Sequence, residues 1–158
     1  MLAKCIVRQG CLEDFRSTCE VEVRCFEYPY PARLLFAFIV LFPEYYFVAE
    51  CNDTVVGYVI GFVERGEVGH IASIAVLPEY RGRGLGKKLL GAIEDAFRKK
   101  GLREAVLEVS VKNKIAINLY LSSGYRIVGR MKNYYPDGSD AFIMRKTLGE
   151  NKIKEENK

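Results

Sequence analysis

Residues 78–89, PEYRGRGLGKKL, place three glycines and two arginines ahead of a lysine-rich segment with helical spacing. Such a stretch can hold an anion. A helix N-terminus leaves its first N–H groups unpaired and carries partial positive charge. Glycine lets a phosphate approach those groups with no Cβ in the way. Arg81 and Arg83 add fork-shaped donors, and Lys87 and Lys88 add charge in the first turn. Positive side chains are unfavourable at that end of a helix, so an anion would account for them. A glycine turn with solvated charges is the plain alternative, and the loop alone does not separate the two. It is not a GxxxxGK[ST] loop. Nor is it a dinucleotide fingerprint, because no acidic strand end follows at the required distance.

Other residues could move protons. In AVLEVSV, Ala105, Leu107, Val109 and Val111 form an apolar face, leaving Glu108 on the other with Val106 and Ser110. A carboxylate there is either a general base or an ordinary solvated strand glutamate. His70, the only histidine, alternates onto the face of Ala72 and Ile74 in VGHIASIAV. It is either a satisfied structural histidine or a proton acceptor. Tyr120 in KIAINLYLSS can donate a phenolic proton or can simply be the aromatic of an amphipathic helix. Asn113, just before that helix, suits an N-cap.

The elements that must position these groups follow from periodicity and turn residues. AKCIVRQ reads as a strand. CLEDFRSTCEVEVRCF reads as a helix with Leu12, Phe15, Cys19 and Val23 on one face. EYPYP breaks the chain ahead of an apolar helix over about 31–42, which Pro43 ends. YYFVAEC and TVVGYVIGFVE form a hairpin at Asn52-Asp53, and VGHIASIAV follows as a strand. A helix over about 85–100 carries Leu85, Leu89, Ile93, Ala96 and Phe97 inward, with Lys87, Lys88, Glu94, Asp95 and Lys99 facing out. EAVLEVSV is a strand and KIAINLYLSS a helix. YRIVGRMKNYY and DAFIMRKTL form a last hairpin around PDG. The order β α α β β β α β α β β is that of an α+β chain with a mixed sheet. A crossover helix joins two strands expected to be parallel neighbours. A doubly wound nucleotide fold is excluded.

Bulk properties narrow the function. The 158 residues suit one domain, expected over 1–148, and the charged tail 149–158 lacks a packing face and is expected to be disordered. Apolar residues make up 49%, enough for a core. The net charge of +4 suits an anionic ligand but is too weak to argue for nucleic acid. LLFAFIVLF is well short of the ~20 residues a membrane span requires. With no apolar run after the first charges, neither a leader nor a membrane partner is expected, and a cytoplasmic location is. The five cysteines lie at 5, 11, 19, 25 and 51, an odd count without CxxC pairs, so no metal site is expected. They read as small apolar residues for the interior. An intracellular disulfide of a hot habitat is the other reading, and a single Gln and no Trp are compatible with it.

SIAVLPEYRGRGLGKKLL resembles the acetyl-CoA loop of the GNAT N-acetyltransferase superfamily, whose signature is [QR]xxGx[GA]; Arg81, Gly84 and Gly86 match it. IASIAV, LEVSVKN and AINLYLSSGY are similar to the same superfamily in the same order, and the likeness runs over about residues 4–148. KNYYPDGSDAFIMRK further resembles the protein N-terminal acetyltransferases, the bacterial enzymes that acetylate ribosomal proteins and their archaeal and eukaryotic relatives.

The resemblance implies a mostly antiparallel sheet of about seven strands, flanked by helices, with a cleft between the parallel fourth and fifth strands. It implies acetyl-CoA as cofactor, its pyrophosphate on Arg81, Gly82, Arg83, Gly84, Leu85, Gly86 and Lys87. Its pantetheine arm would lie on main-chain groups of Ile74, Ala75 and Val76, with Asn113 and Tyr120 also in contact. It implies Glu108 as base through a water, His70 sharing that role and Tyr120 protonating the departing thiolate. Glu27, Tyr28, Tyr134 and Tyr135 would line the groove for a peptide N-terminus, although this chain reads CFEYPYP where the family has LPENY. A small-amine or lysine acetyltransferase and a non-catalytic acetyl-CoA-binding module are the competing readings. The apolar helix is open to a homodimer or auxiliary-subunit contact.

Overall fold

A computed structural model of the chain describes residues 4–149. These residues form seven strands and four helices, in the order β1 (Cys5–Gln9), α1 (Phe15–Cys25), α2 (Ala32–Leu41), β2 (Tyr46–Cys51), β3 (Thr54–Val63), β4 (Val68–Val76), α3 (Leu85–Lys99), β5 (Glu104–Ser110), α4 (Lys114–Ser122), β6 (Arg126–Met131) and β7 (Ala141–Thr147). The expected succession of elements is present. The strands lie in one sheet in the order β1-β2-β3-β4-β5-β7-β6, with β4 and β5 parallel. Of the tail expected to be disordered, 149–158, all but Gly149 lies outside the described residues. Among the described residues no helix is long and apolar enough to cross a membrane.

Two compact units divide the described chain. One comprises the residues up to Phe62 with Ala72–Ala96, the other Val63–Ile71 with the residues from Phe97 onward. In the first, β1, β2 and β3 form an antiparallel meander, with Cys51 opposite Thr54 across the Asn52-Asp53 loop. Both loop residues have positive φ, 48° and 64°, as a two-residue hairpin turn requires.

Helix α1 departs from the expected stripe. Its buried residues are Thr18, Val21 and Glu22, while Leu12 and Val23 are exposed. Hydrogen bonds, not hydropathy, set this face. The Thr18 hydroxyl lies 2.6 Å from the Tyr46 hydroxyl, and the Glu22 carboxylate accepts from Tyr58 and from Ser73 Oγ, the latter at 3.1 Å. Tyr58 and Ser73 are themselves 2.7 Å apart, and the Tyr30 main-chain N–H also reaches Glu22. A buried polar group with such partners is tolerated where an unpaired one is not. On the rim, Asp14 takes two 2.9 Å bonds from the Arg8 guanidinium and one from the Cys11 N–H.

Burial pushes the Glu22 carboxyl above its ordinary value of 4.5. A carboxyl whose folded-state pKa is raised binds more protons in the folded than in the unfolded chain. Its contribution to stability is full below 4.5 and is lost as pH rises through the folded value. Glu22→Gln keeps an acceptor for Tyr58 and Ser73 but cannot ionise. The variant's thermal midpoint, compared with wild type along a pH series, should gain as pH rises from 4.5 to the folded value and hold that gain above it. A constant difference would show that Glu22 does not titrate in this range. Glu22→Ala, which deletes the acceptor, should cost about 1–3 kcal/mol below pH 4.5, a cost that shrinks as pH rises through the folded value of Glu22.

Two further expectations are corrected. Cys5 and Cys51, opposite one another in the β1–β2 ladder, form a disulfide; Cys11 is exposed, and Cys19 and Cys25 are half-buried. The cysteines are therefore not simply small interior residues. Glu94, expected to face out on α3, is buried, because the helix buries Leu90 as well and so presents a wider face than one stripe. Helix α2 buries Leu35 and Ile39 but exposes Leu34, Phe36, Val40 and Leu41, so it is covered on one side only.

Candidate active site

The second unit carries the candidate proton-handling residues His70, Glu108 and Tyr120. The parallel ladder between β4 and β5 pairs Val68 with Glu104, Gly69 with Ala105 and His70 with Val106. A Cβ on Gly69 would come within 2.5 Å of the Phe97 ring, so that position admits only glycine without rearrangement. Along β5 the burial alternates: Ala105, Leu107 and Val109 are buried, and Glu108 stands on the half-exposed face. His70 occupies the equivalent face of β4. With this register, His70 Nε2 and Glu108 Oε2 lie 2.7 Å apart, and each side chain is about one-fifth exposed, at 21% and 19%. The pair is dry enough for a strong hydrogen bond and open enough for an amine to reach it.

A third group joins them. Burial foremost, and then the nearby Glu108 carboxylate, raise the pKa of the Tyr134 hydroxyl. Tyr134 and Tyr135 sit in the loop between β6 and β7, their rings edge to face at 4.9 Å. They were expected to end a strand, but β6 stops at Met131. Asn133 has φ 52° and its N–H bonds Asp140 at 2.9 Å, while both tyrosine N–H groups bond the Ser139 carbonyl at 3.0 and 3.1 Å. The Pro136-Asp137 turn closes through Gly138 N–H to the Tyr135 carbonyl at 2.9 Å, as the PDG residues led one to expect.

Beside the pair lies a cavity of about 590 Å3. Val68, Val106, Met131 and Ile143 give it apolar walls, and Glu64, Arg65 and Arg145 stand on it as well. Arg145 is ion-paired with Glu104. The sequence reading did not reach these wall residues. Ile143 and Arg145 stand opposite Glu108 and Val106 only through the β5–β7 register, which no local motif encodes.

Tyr120 is buried on α4, edge-on to Tyr125 with ring centroids 5.9 Å apart. Burial foremost, and then the neighbouring Tyr135, push its phenol well above the ordinary range, so it stays protonated and able to donate at neutral pH. Asn113 caps α4, its Oδ1 accepting from Ala116 N–H at 3.1 Å.

The first unit carries the glycine loop. Gly82 and Gly84 have φ of 79° and 80°, and a Cβ on either would meet no protein atom within 4 Å. The bare backbone therefore borders open space ahead of α3, and the exposed Lys87 and Lys88 follow in its first turn. Arg81 turns back, Nε donating to the Val76 carbonyl at 2.9 Å, and Cys25 Sγ lies 3.6 Å from the same oxygen. That carbonyl thus anchors the loop to the strand end. Ile74 is half-exposed, Ala75 and Val76 are buried, and the Arg83 guanidinium lies over the Tyr80 ring at 5.1 Å. Glu27 and Tyr28 are exposed between α1 and α2, where Tyr30 also donates to the Ala72 carbonyl at 3.3 Å. The structure thus brings His70, Glu108 and Tyr134 together in one unit, while Glu27, Tyr28 and the glycine loop belong to the other.

A glycine loop bordering open space at a helix start and a histidine–carboxylate pair on parallel strands fit an acyl-transfer enzyme. Comparison with known proteins gives the class. Residues 15–125 match the model of the Acetyltransferase (GNAT) family, and the chain belongs to that family. It is 39% identical over 142 residues to an uncharacterized N-acetyltransferase of Methanocaldococcus jannaschii, covering 89% of this chain and 90% of that one. It is 38% identical over 136 residues to an N-alpha-acetyltransferase of Sulfurisphaera tokodaii, covering 77% and 78%. Among solved structures, a chain of the NatC complex bound to Gag peptide and coenzyme A superposes with a TM-score of 0.86. It is 26% identical, over 92% of this chain and 99% of that one.

Proposed function

We propose that this acetyltransferase, acting as a single domain over residues 1–148, transfers acetyl groups from acetyl-CoA to the α-amino groups of protein N-termini by direct attack in a ternary complex. The observation that carries the reading is the His70–Glu108 hydrogen bond of 2.7 Å at the wall of an open cavity. The glycine loop fits the cofactor's diphosphate: at Gly82 and Gly84 a side chain would occupy space that the protein leaves open. Arg81, Arg83 and Lys87 supply charge around it, and the main chain of Ile74–Val76 offers the next polar groups. Acetyl-CoA brings an acetyl group already activated as a thioester, so no covalent enzyme intermediate is needed.

The residues of the chain have three tasks. Glu108, directly or through a water, accepts a proton from the attacking amine, and His70, bonded to it, shares that proton. Tyr120, held protonated by burial, is the donor to the leaving sulfur. Tyr134 and Tyr135, on a loop pinned by Ser139 and Asp140, hold the substrate's first residues, with Glu27 and Tyr28 as further contacts.

The relatives named above support an α-amine as acceptor, and acid–base chemistry favours the same choice. An α-amine has an ordinary pKa of ~7.7–8.0 against ~10.4 for lysine, so far more of it is neutral near pH 7 and a modest base suffices. A peptide offering both a free N-terminus and an internal lysine should be acetylated at its N-terminus, as read by fragment mass spectrometry. Preferential modification of the lysine would favour the lysine-acetylating alternative.

A further inference from the structure

We propose that the cavity beside the His70–Glu108 pair seats the first side chain of the substrate and selects long apolar ones, methionine and leucine, over alanine, serine and glycine. This rests on the α-amine reading above. In an amino acid the side chain leaves the same carbon that bears the amine. An amine within reach of Glu108 therefore starts its side chain two bonds away, and the concavity sharing Glu108 and His70 as its wall is the place to receive it.

The walls decide what fits. Ile143 stands opposite Glu108 across the β5–β7 ladder. Val106 and Val68 each lie two residues before a member of the pair, on the same strand face. Met131 completes an apolar lining. The other charged lining residues offset one another: Arg145 is ion-paired with Glu104, and Glu64 and Arg65 are of opposite sign. They give no net reward to an acidic or a basic side chain. At about 590 Å3 the cavity is in the range of small-ligand sites, ample for a long side chain. A methyl or hydroxymethyl group leaves most of the apolar wall facing water and forgoes its contacts. A single methylene in an apolar pocket discriminates about 10–200-fold, so the preference should be at least about tenfold in kcat/KM.

The test uses the full chain, acetyl-CoA and lysine-free peptides identical from the second residue onward, beginning with Met, Leu, Ala, Ser or Gly. Wild type should acetylate the Met and Leu peptides at least about tenfold more efficiently than the Ala peptide. Val106→Phe, an aromatic on a half-exposed strand face where such residues are favoured, should bring the Met-to-Ala ratio close to one. Equal or better use of Ala, Ser or Gly by wild type overturns the inference and leaves α-amine acetylation standing. So does an unchanged ratio in a folded Val106→Phe protein. If no peptide is acetylated on its α-amine, the functional reading fails and the inference falls with it.

Discussion

Glu108→Gln should lower peptide turnover at neutral pH by about 10²–10⁴-fold while leaving affinity for coenzyme A near that of the wild type. Glutamine keeps the size of the side chain, and its amide oxygen still accepts a hydrogen bond from His70. What it loses is basicity. If the carboxylate takes the proton from the attacking amine, the loss appears in the chemical step and not in cofactor binding. His70 makes the experiment sharper. Its Nε2 is 2.7 Å from the carboxylate, so the two groups can share one proton, and the imidazole retains some function when glutamine replaces glutamate. The His70→Ala, Glu108→Gln double variant should therefore fall below either single variant. Steady-state rates at saturating acetyl-CoA, with calorimetric titration of coenzyme A, separate the two effects. Near-wild-type turnover in Glu108→Gln would make Glu108 a structural partner of the histidine and leave the proton to His70 or solvent.

Which parts of this site the sequence reveals depends on whether their determinants are local. Strand β5 alternates because one face is buried, so the exposure of Glu108 is readable from Ala105, Leu107 and Val109 alone. The Asn52-Asp53 hairpin and the Pro136-Asp137-Gly138 turn are likewise written in residues that tolerate those backbone angles. The contact between His70 and Glu108 is not local. Faces can be assigned strand by strand, but the 2.7 Å approach needs the parallel register that sets His70 beside Val106. The nearness of Tyr134 to Glu108, and Ile143 and Arg145 walling the cavity, depend in the same way on how β7 and its loop return along β5. Helix α1 misleads for a chemical reason. Hydropathy ranks Thr18 and Glu22 as surface residues, yet tyrosine hydroxyls 28 and 36 positions away satisfy them in the interior. The Cys5–Cys51 bridge is equally non-local, set by β1 and β2 pairing across a separation of 46 residues.

Gly84→Asp should abolish coenzyme A binding and leave the protein folded, because the substitution acts oppositely on the helix and on the ligand. An added Cβ at Gly84 meets no protein atom within 4 Å, so no clash disrupts the loop. The backbone there has φ 80°, a region that costs an ordinary residue about 1–2 kcal/mol but that aspartate visits more readily than most. A carboxylate close to the start of α3 recovers about 0.3–1 kcal/mol from the helix dipole and softens the repulsion from Lys87 and Lys88. The two terms nearly cancel, and the thermal midpoint should move by a few degrees at most. For the cofactor nothing cancels. If the diphosphate docks on the bare N–H groups as proposed, the new side chain projects into its space and brings a fixed negative charge of its own. Gly84→Ala adds the crowding without the charge and should bind weakly but measurably, separating the two contributions. Calorimetric titration of the three proteins with coenzyme A, beside their melting curves, decides the matter. Wild-type affinity in a folded Gly84→Asp protein would remove the phosphate from this loop and return it to a glycine turn with solvated charges.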